Sequence, residues 1–358
     1  MHNRPTIQDV AHRVHLSVST VSLAINNSGY VREKTRRKVL QAVRELGYHP
    51  THAARRLASK TSGNLGFILQ DDHFSQAEPF YTKIFLGAEF EARSHDYYIL
   101  LTTADRQFKP RKEIPRFLLE KNVDGVIIAG KINEKLVAYI ESLELPLIIV
   151  DYEVHGKRHS SVLIDNQHGV EQAIRHLVTL GRKDIAFVAG DLGHPSMAER
   201  FTAYKESLAA NRLSFREEFI AVDELDTGTR NGYEAITKIF RRGVTPNAIC
   251  AANDAMAIGC MQYLRQEEIA IPDDVAVIGF DDIELCTRVE PSLSTVRVPK
   301  EEMGKLAVQR LVEAMKLKSK AVVKTRIPVE LVVRESTTKS AAGPRELRET
   351  YIPSAVVS

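Results

Sequence analysis

Four polar residues stand directly after apolar runs, where they could bind a small polar ligand. Asp151 follows LIIV, Asn253 follows ICAA, Asp281 follows VIGF, and Arg200 opens a predicted helix after VAG. The hydroxyls of a sugar or a nucleoside need this mixture of carboxylate, amide and guanidinium partners. The alternative is structural, because Asp and Asn after a strand often cap helices and Arg200 could form a surface ion pair.

Motifs of the common catalytic and nucleotide-binding sites are absent from the sequence. It has no G-x-x-x-x-G-K-[ST], G-x-G-x-x-G, H-E-x-x-H or G-x-S-x-G pattern. Its three cysteines form no C-x-x-C pair, which is typical of a reducing cytosol rather than of a disulfide framework or a zinc site. We therefore expect no catalytic residues, no metal and no cofactor.

The ligand residues must be positioned by the body of the chain, in which short apolar runs alternate with helical stretches from Asn64 onward. Eleven such runs are mostly apolar on both faces, as in parallel strands that helices cover. This alternation predicts a doubly wound α/β fold. Because eleven strands are too many for one small sheet, we expect two parallel-sheet lobes with a ligand at the carboxyl ends of the strands.

The first fifty residues predict three short helices, which form a helix-turn-helix unit. Thr6 and Asp9 form a capping pattern before the first helix, and Gly47 ends the third, which begins near Arg32. The second helix opens at Ser17. Apolar residues at helical spacing are expected to face the core: Ile7, Val10, Ala11, Val14, Val21, Ala24, Ile25, Val39, Val43 and Leu46.

Charge separates this small all-α head from the body. Residues 1–62 contain 11 Lys+Arg and 3 Asp+Glu, whereas the remainder contains 38 and 43. A basic head on an acidic body indicates contact with a polyanion, although a solvated basic tail would show the same excess. The N-terminus lacks an apolar region and no apolar run reaches about 20 residues, so we expect neither secretion nor membrane insertion.

Two ordered series of motifs resemble one known family. The head has TIQDVA at 6–11, LS at 16–17, STVS at 19–22, Asn26, TR at 35–36, ELGY at 45–48, Pro50, AR at 54–55 and Leu57. The body has PFY at 79–81, VDG at 123–125, DN at 165–166, Gly190, AND at 252–254, GFDD at 279–282 and PSLSTV at 291–296. Over residues 5–335 the chain thus resembles the lactose/galactose repressor (LacI/GalR) family of bacterial transcription regulators.

The resemblance implies that the head binds an operator. Base-reading positions fall on Val18, Ser19 and Leu23, from which we expect contacts with thymine methyl groups. The remaining DNA-binding positions of the head, mainly phosphate contacts, fall on Thr6, Ser17, Thr20, Ser22, Asn26 and Thr35. The alternative for Val18 and Leu23 is a place in the core.

After the head, the chain resembles the family's hinge helix. Leu57 matches the leucine that enters the minor groove from the paired hinges of a dimer and kinks the DNA. Ala54 would allow close approach and Arg55 would supply positive charge. The alternative is an ordinary leucine in a linker helix.

On the body, the resemblance implies an effector site of the periplasmic-binding-protein type. It assigns contacts to Arg200, Asn253 and Asp281 on the C-lobe. On the N-lobe it assigns contacts to Phe80, Tyr81 and Asp151.

Among the departures from the family pattern, three concern the head and the sugar-stacking position. His15 replaces the usual glycine of the turn, and Arg32 replaces the usual capping Ser or Thr of the third helix. Thr227 falls where many relatives carry an aromatic residue that stacks on the sugar ring.

The sequence therefore predicts a cytoplasmic repressor that binds a pseudo-palindromic operator in double-stranded DNA as a homodimer. Its effector is expected to be a sugar or sugar derivative held between the lobes, and no membrane is involved. The alternatives are a nucleobase or nucleoside effector, a protein partner in that role, or a solute-binding protein of the periplasmic type.

The predicted domain boundaries follow from the periodicity and composition of the chain together with the resemblance. The helix-turn-helix domain covers residues 1–50, the hinge helix and linker 51–62, the body 63–335, and a disordered tail 336–358. Within the body, the N-lobe is expected at about 63–164 and 293–321, and the C-lobe at about 165–292 and 322–335.

Overall fold

A computed structural model describes most of the chain, namely residues 5–25, 30–48, 61–71, 80–105, 108–109, 113–154, 156–317 and 321–338. The chain divides into two compact units, Met1–Leu163 with Lys300–Thr325 and Ile164–Pro299 with Arg326–Ser358. None of the helices in these ranges is long and apolar enough to cross a membrane.

Three helices form the head, as predicted: α1 (Ile7–Val14), α2 (Val18–Ile25) and α3 (Glu33–Leu46). Val10, Val21 and Val39 are fully buried where the helices meet. The third helix buries Ala42, whereas the predicted core residues Val43 and Leu46 are only partly buried. This shift moves the inward face of α3 by about one residue without changing the fold.

The first sheet belongs to the first unit and has the strand order β11-β5-β4-β3-β1-β2. Its strands are β1 (Asn64–Gln70), β2 (Tyr98–Ala104), β3 (Gly125–Ala129), β4 (Leu147–Val150), β5 (Ser160–Ile164) and β11 (Lys324–Ile327). Its helices are α4 (Phe80–Ser94), α5 (Arg116–Leu119), α6 (Glu134–Ser142) and α11 (Lys300–Leu317). The strand pairs β1–β2, β1–β3, β3–β4 and β4–β5 are all parallel, as the apolar runs predicted.

The second sheet has the strand order β12-β10-β9-β8-β6-β7. Its strands are β6 (Ile185–Val188), β7 (Ile220–Ala221), β8 (Ala248–Ala251), β9 (Ala276–Asp281), β10 (Ser294–Arg297) and β12 (Glu330–Val332). Its helices are α7 (Asn166–Thr179), α8 (Pro195–Ala210), α9 (Thr229–Arg241) and α10 (Asp254–Gln266). The strands pair in parallel except β10 with β12, which is antiparallel.

The structure corrects the predicted crossing points between the lobes. Residues 293–299 belong to the second unit, because β10 pairs with β9 from Ser294 opposite Ile278 to Arg297 opposite Asp281. Conversely, β11 lies in the first sheet beside β5, although residues 322–325 were assigned to the C-lobe. The sequence missed β11 because KTRI is mostly polar, as an edge strand can be.

The start of the predicted tail is also ordered. Ser336 and Thr337 are buried, and the Ser336 hydroxyl donates to the Val277 carbonyl at 2.6 Å. The Ser336 backbone N–H donates to the Ser292 carbonyl at 2.8 Å. The second unit therefore continues to at least residue 338, and residues 339–358 lie outside the described part of the chain.

Candidate functional sites

The second helix of the head presents one apolar face to the core and another to solvent. Val21 and Ala24 are buried, whereas Val18 is 42% and Leu23 is 40% exposed. Ser19 is exposed as well. Val18 and Leu23 are thus surface residues of this helix, where apolar side chains can contact the methyl groups of thymine.

Local hydrogen bonds hold the start of α2. The Ser17 hydroxyl accepts a hydrogen bond from the Thr20 backbone N–H at 3.2 Å, and the two hydroxyls lie 2.8 Å apart. Ser22 and Thr35 are half-buried, the latter on α3. Of the sequence-predicted DNA contacts, Asn26, Ala54, Arg55 and Leu57 lie outside the described residues.

The cap of α1 forms as predicted. The Thr6 hydroxyl and backbone N–H both donate to Asp9 Oδ2 at 2.7 Å, and these hydrogen bonds lower the pKa of Asp9. At the other end of α1, His15 adopts a left-handed conformation with φ 56°. This is the conformation for which the family usually has glycine at this turn. Sequence reasoning missed Gln8 and His12, which line a groove of about 440 Å³ together with His15, Ser17 and Val18.

Arg32 is the other departure that the structure explains. Within the described head, this residue precedes α3 with ψ 137° and makes no side-chain capping hydrogen bond. Replacing Arg32 with Ser should stabilise the head by about 1 kcal/mol, because the hydroxyl can accept from a backbone N–H of the first turn. Arg32→Ala is the control, since it removes the same side chain without adding an acceptor. Hydrogen exchange of the α3 amides measures the difference, and equal protection in the two variants would contradict the prediction.

A buried arginine organises the predicted ligand residues of the second unit. Arg200 lies on α8, which begins five residues earlier than the predicted helix start, and its side chain is 2% exposed. Its Nε donates to Asn166 Oδ1 at 2.8 Å and its Nη1 donates to the Ala252 carbonyl. Its Nη2 lies 3.5 Å from Asp281 Oδ1, and the guanidinium stacks 3.7 Å from the centre of the Phe280 ring.

Asn253 directly follows Ala252, whose backbone carbonyl accepts a hydrogen bond from Arg200. It caps α10, since its Oδ1 accepts from the Met256 N–H at 2.9 Å. Its Nδ2 donates to the carbonyl of Thr227 at 3.0 Å. The methyl group of Thr227 packs closely against Gly190. A Cβ added to Gly190 would lie only 2.6 Å from this methyl group. The capping alternative is therefore correct for Asn253, and it does not exclude a ligand contact.

Sequence reasoning missed the residue next to Asn253. Asp254 is fully buried, and its carboxylate accepts from the Thr295 hydroxyl at 2.5 Å and from the Ile283 N–H at 2.9 Å. Burial, reinforced by the charge of Asp281, raises the pKa of Asp254. The only sequence signal was the position of an acidic residue at the start of a helix, which is too common to single out.

The first unit carries a second cluster at the end of β4. Asp151 directly follows this strand, and the Tyr81 hydroxyl donates to its Oδ2 at 3.1 Å. The Phe80 ring meets the Tyr81 ring edge-on with centres 5.0 Å apart. The Lys300 ammonium, which the sequence analysis missed, lies 5.7 Å from the centre of the Phe80 ring. All four residues are buried, so the structure brings the three predicted N-lobe residues together.

The folds define a class of protein: a helix-turn-helix head and a two-sheet body of the periplasmic-binding-protein type in one chain. The model "Bacterial regulatory proteins, lacI family" matches residues 6–51, and "Periplasmic binding protein-like domain" matches residues 174–337. The HTH-type transcriptional repressor PurR of Aliivibrio fischeri (strain MJ11) is 30% identical over 92% of this chain and 98% of its own length. Catabolite control protein A of Priestia megaterium is 31% identical over 93% and 99%.

Solved structures agree with these relatives. A lac repressor dimer bound to operator and the anti-inducer ONPF superposes with a TM-score of 0.76 at 25% identity, covering 94% of this chain and 99% of that one. A complex of the transcriptional regulator CelR with cellobiose gives 0.71 at 28% identity, covering 93% and 100%. The chain belongs to the LacI family of bacterial regulatory proteins, as the sequence motifs indicated. It is a DNA-binding transcription regulator and not an enzyme.

Proposed function

We propose that this regulator is a repressor whose operator binding is controlled by a sugar or sugar derivative. The observation that carries the proposal is the buried arrangement of Arg200 and Asp281 on the second unit, in which Arg200 also donates to the carbonyl of Ala252, the residue before Asn253. A guanidinium and a carboxylate held 3.5 Å apart present paired donors and acceptors, which is what vicinal hydroxyls bind. Asp151 and Tyr81 offer a second such pair on the first unit.

The same donors and acceptors also suit the ribose of a nucleoside, which is the second candidate effector. Phe80 and Tyr81 favour it, because their adjoining rings could pack against a base. The cellobiose complex of CelR, a structural neighbour, supports the sugar instead. Calorimetry with a panel of mono- and disaccharides and of nucleosides separates the two, because the chain has no tryptophan to report binding.

On the DNA side, we assign base reading to Val18, Ser19 and Leu23. Their exposure on one helix supports this assignment. The first test is to capture sheared genomic DNA from the source organism on the purified full chain and to sequence it. A short palindrome beside transport or catabolic genes is expected. Failure to enrich any site, both with and without cell extract to supply an effector, would refute the assignment.

A pseudo-palindromic operator requires two heads, and the first unit carries a surface suited to a second copy of the chain. Leu86 and Phe90 lie four residues apart on α4, so they share one face of the helix. Leu101 on the edge strand β2 pairs with Phe67, whose ring contacts Phe85 of α4 at 5.4 Å. Leu86, Phe90 and Leu101 are all exposed, and we term these three residues the apolar patch.

Phe90→Asp should weaken the homodimer by at least about thirtyfold, because a central aromatic anchor is replaced by a charge. Phe90 is 64% exposed in the single chain, so the change should not disturb the fold. Leu119→Asp is the matched control, since Leu119 is 60% exposed on α5, outside the apolar patch. Sedimentation equilibrium measures both, and an unchanged dimer in Phe90→Asp would remove the patch from the interface.

A further inference from the structure

The turn after β9 places two consecutive non-glycine residues in the left-handed region. Asp281 has φ 115° and Asp282 has φ 56°. Such conformations are costly for residues with a Cβ and persist where the surroundings hold them. Because Asp281 is the carboxylate that faces Arg200, whatever holds this turn also sets the direction of that carboxylate.

Asp254 holds the turn through both of its carboxylate oxygens. Its Oδ2 accepts directly from the Ile283 N–H, 2.9 Å away. Its Oδ1 accepts from the Thr295 hydroxyl, and the Thr295 oxygen accepts from the Asp282 N–H at 3.3 Å. The two backbone N–H groups that follow Asp281 are thus tied to one buried side chain on α10.

The opposite side of the turn is held separately. The Asp282 carboxylate accepts from Arg297 Nε and from Arg334 Nη2, both at 2.6 Å. Burial would raise the pKa of Asp282, but these two hydrogen bonds outweigh it and lower that pKa. Asp282 therefore fixes its own side chain to Arg297 of β10 and to Arg334. The Asp281 carbonyl accepts from the Val298 N–H at 3.4 Å, and the next two backbone N–H groups are held by Asp254 and Thr295.

Space around Asp254 is tight as well. A Cβ added to Gly279 of β9 would lie 2.2 Å from Asp254 Oδ1. The carboxylate oxygen therefore fits here because residue 279 has no side chain. Burying a carboxylate here, close to Asp281, is electrostatically unfavourable. A carboxyl group whose pKa is raised by burial and by a neighbouring charge is a candidate for a functional role.

We propose that Asp254, acting through Thr295, is a positioning residue that aims the Asp281 carboxylate for effector binding. The proposal rests on the proposed function for its consequence, since Asp281 must contact the effector. Its structural part, the restraint of the turn, stands on the hydrogen bonds alone.

Hydrogen exchange by mass spectrometry on the full chain tests the restraint, with a peptide that covers residues 280–286. We expect Thr295→Val to accelerate exchange of this peptide about tenfold, because the Asp282 N–H loses its acceptor. Thr295→Ser should restore the slow exchange. Thr237→Val is the matched control, since Thr237 donates to a helix carbonyl at Tyr233 in the same unit.

The second measurement is calorimetry of the same variants with whichever saccharide of the panel binds the wild-type chain. Thr295→Val should weaken that affinity about tenfold while operator affinity is unchanged, and Thr295→Ser should recover it. Equal exchange in Thr295→Val and wild type would overturn the restraint, and equal saccharide affinity would overturn the role in binding. If no saccharide binds the wild-type chain, the proposed effector class fails, whereas the exchange result still decides whether the link from Asp254 through Thr295 holds the Asp282 N–H.

Discussion

Arg200→Ala is expected to abolish the response to the effector and to leave operator binding in the absence of effector unchanged. The guanidinium contacts Asn166, Ala252 and Asp281 and stacks on Phe280, so its loss removes both a donor and the partner that orients Asp281. Two charge-assisted hydrogen bonds of about 1.5 kcal/mol each correspond to roughly a hundredfold weaker effector binding.

The control for this variant must be another arginine of the same unit. Arg182 donates to the backbone carbonyls of Pro272, Asp273 and Asp274, and it contacts none of the predicted ligand residues in the described part of the unit. Arg182→Ala should therefore leave the effector affinity as in wild type. Calorimetry gives the affinity, and operator binding with and without effector gives the response. A normal response in Arg200→Ala would place the effector elsewhere.

Operator affinity is expected to fall at least about a thousandfold as salt rises from about 50 to 200 mM. The reason is the excess of Lys and Arg in residues 1–62, since each phosphate that they neutralise releases a bound counterion. Lys34, Arg13 and Arg37 are exposed on the described part of the head. Arg13 lies 3.2 Å from Glu45 and Arg37 lies 3.3 Å from Glu33, and a phosphate would compete with these surface ion pairs.

Effector affinity is the internal control for the salt series. Because Arg200 and Asp281 are buried, saccharide binding should change little over the same range. Lys34→Gln should lower the salt slope by about one unit, provided that this ammonium contacts a phosphate. A flat salt dependence of operator affinity would contradict the assignment of the head as the polyanion-binding surface.

Features that depend on neighbours a few residues apart could be predicted from the sequence alone. The capping box of Thr6 and Asp9 and the left-handed stop at Gly47 join residues within one helical turn, and both form as predicted. Helical spacing of apolar residues located α1 to α3, and apolar runs located eleven of the twelve strands found among the described residues. The order of family motifs along the chain added the class of protein, because those motifs span both head and body.

Which distant groups meet could not be predicted from the sequence and became clear in the folded chain. Tyr81 reaches Asp151 across 70 residues of sequence, and Asp254 reaches Thr295 across 41. The assignment of β10 to the second sheet and the order at Ser336 also depend on pairing with strands far away in the chain. Periodicity reports which side of an element is buried, but strand pairing and buried polar contacts depend on how separate elements pack, which no local pattern encodes.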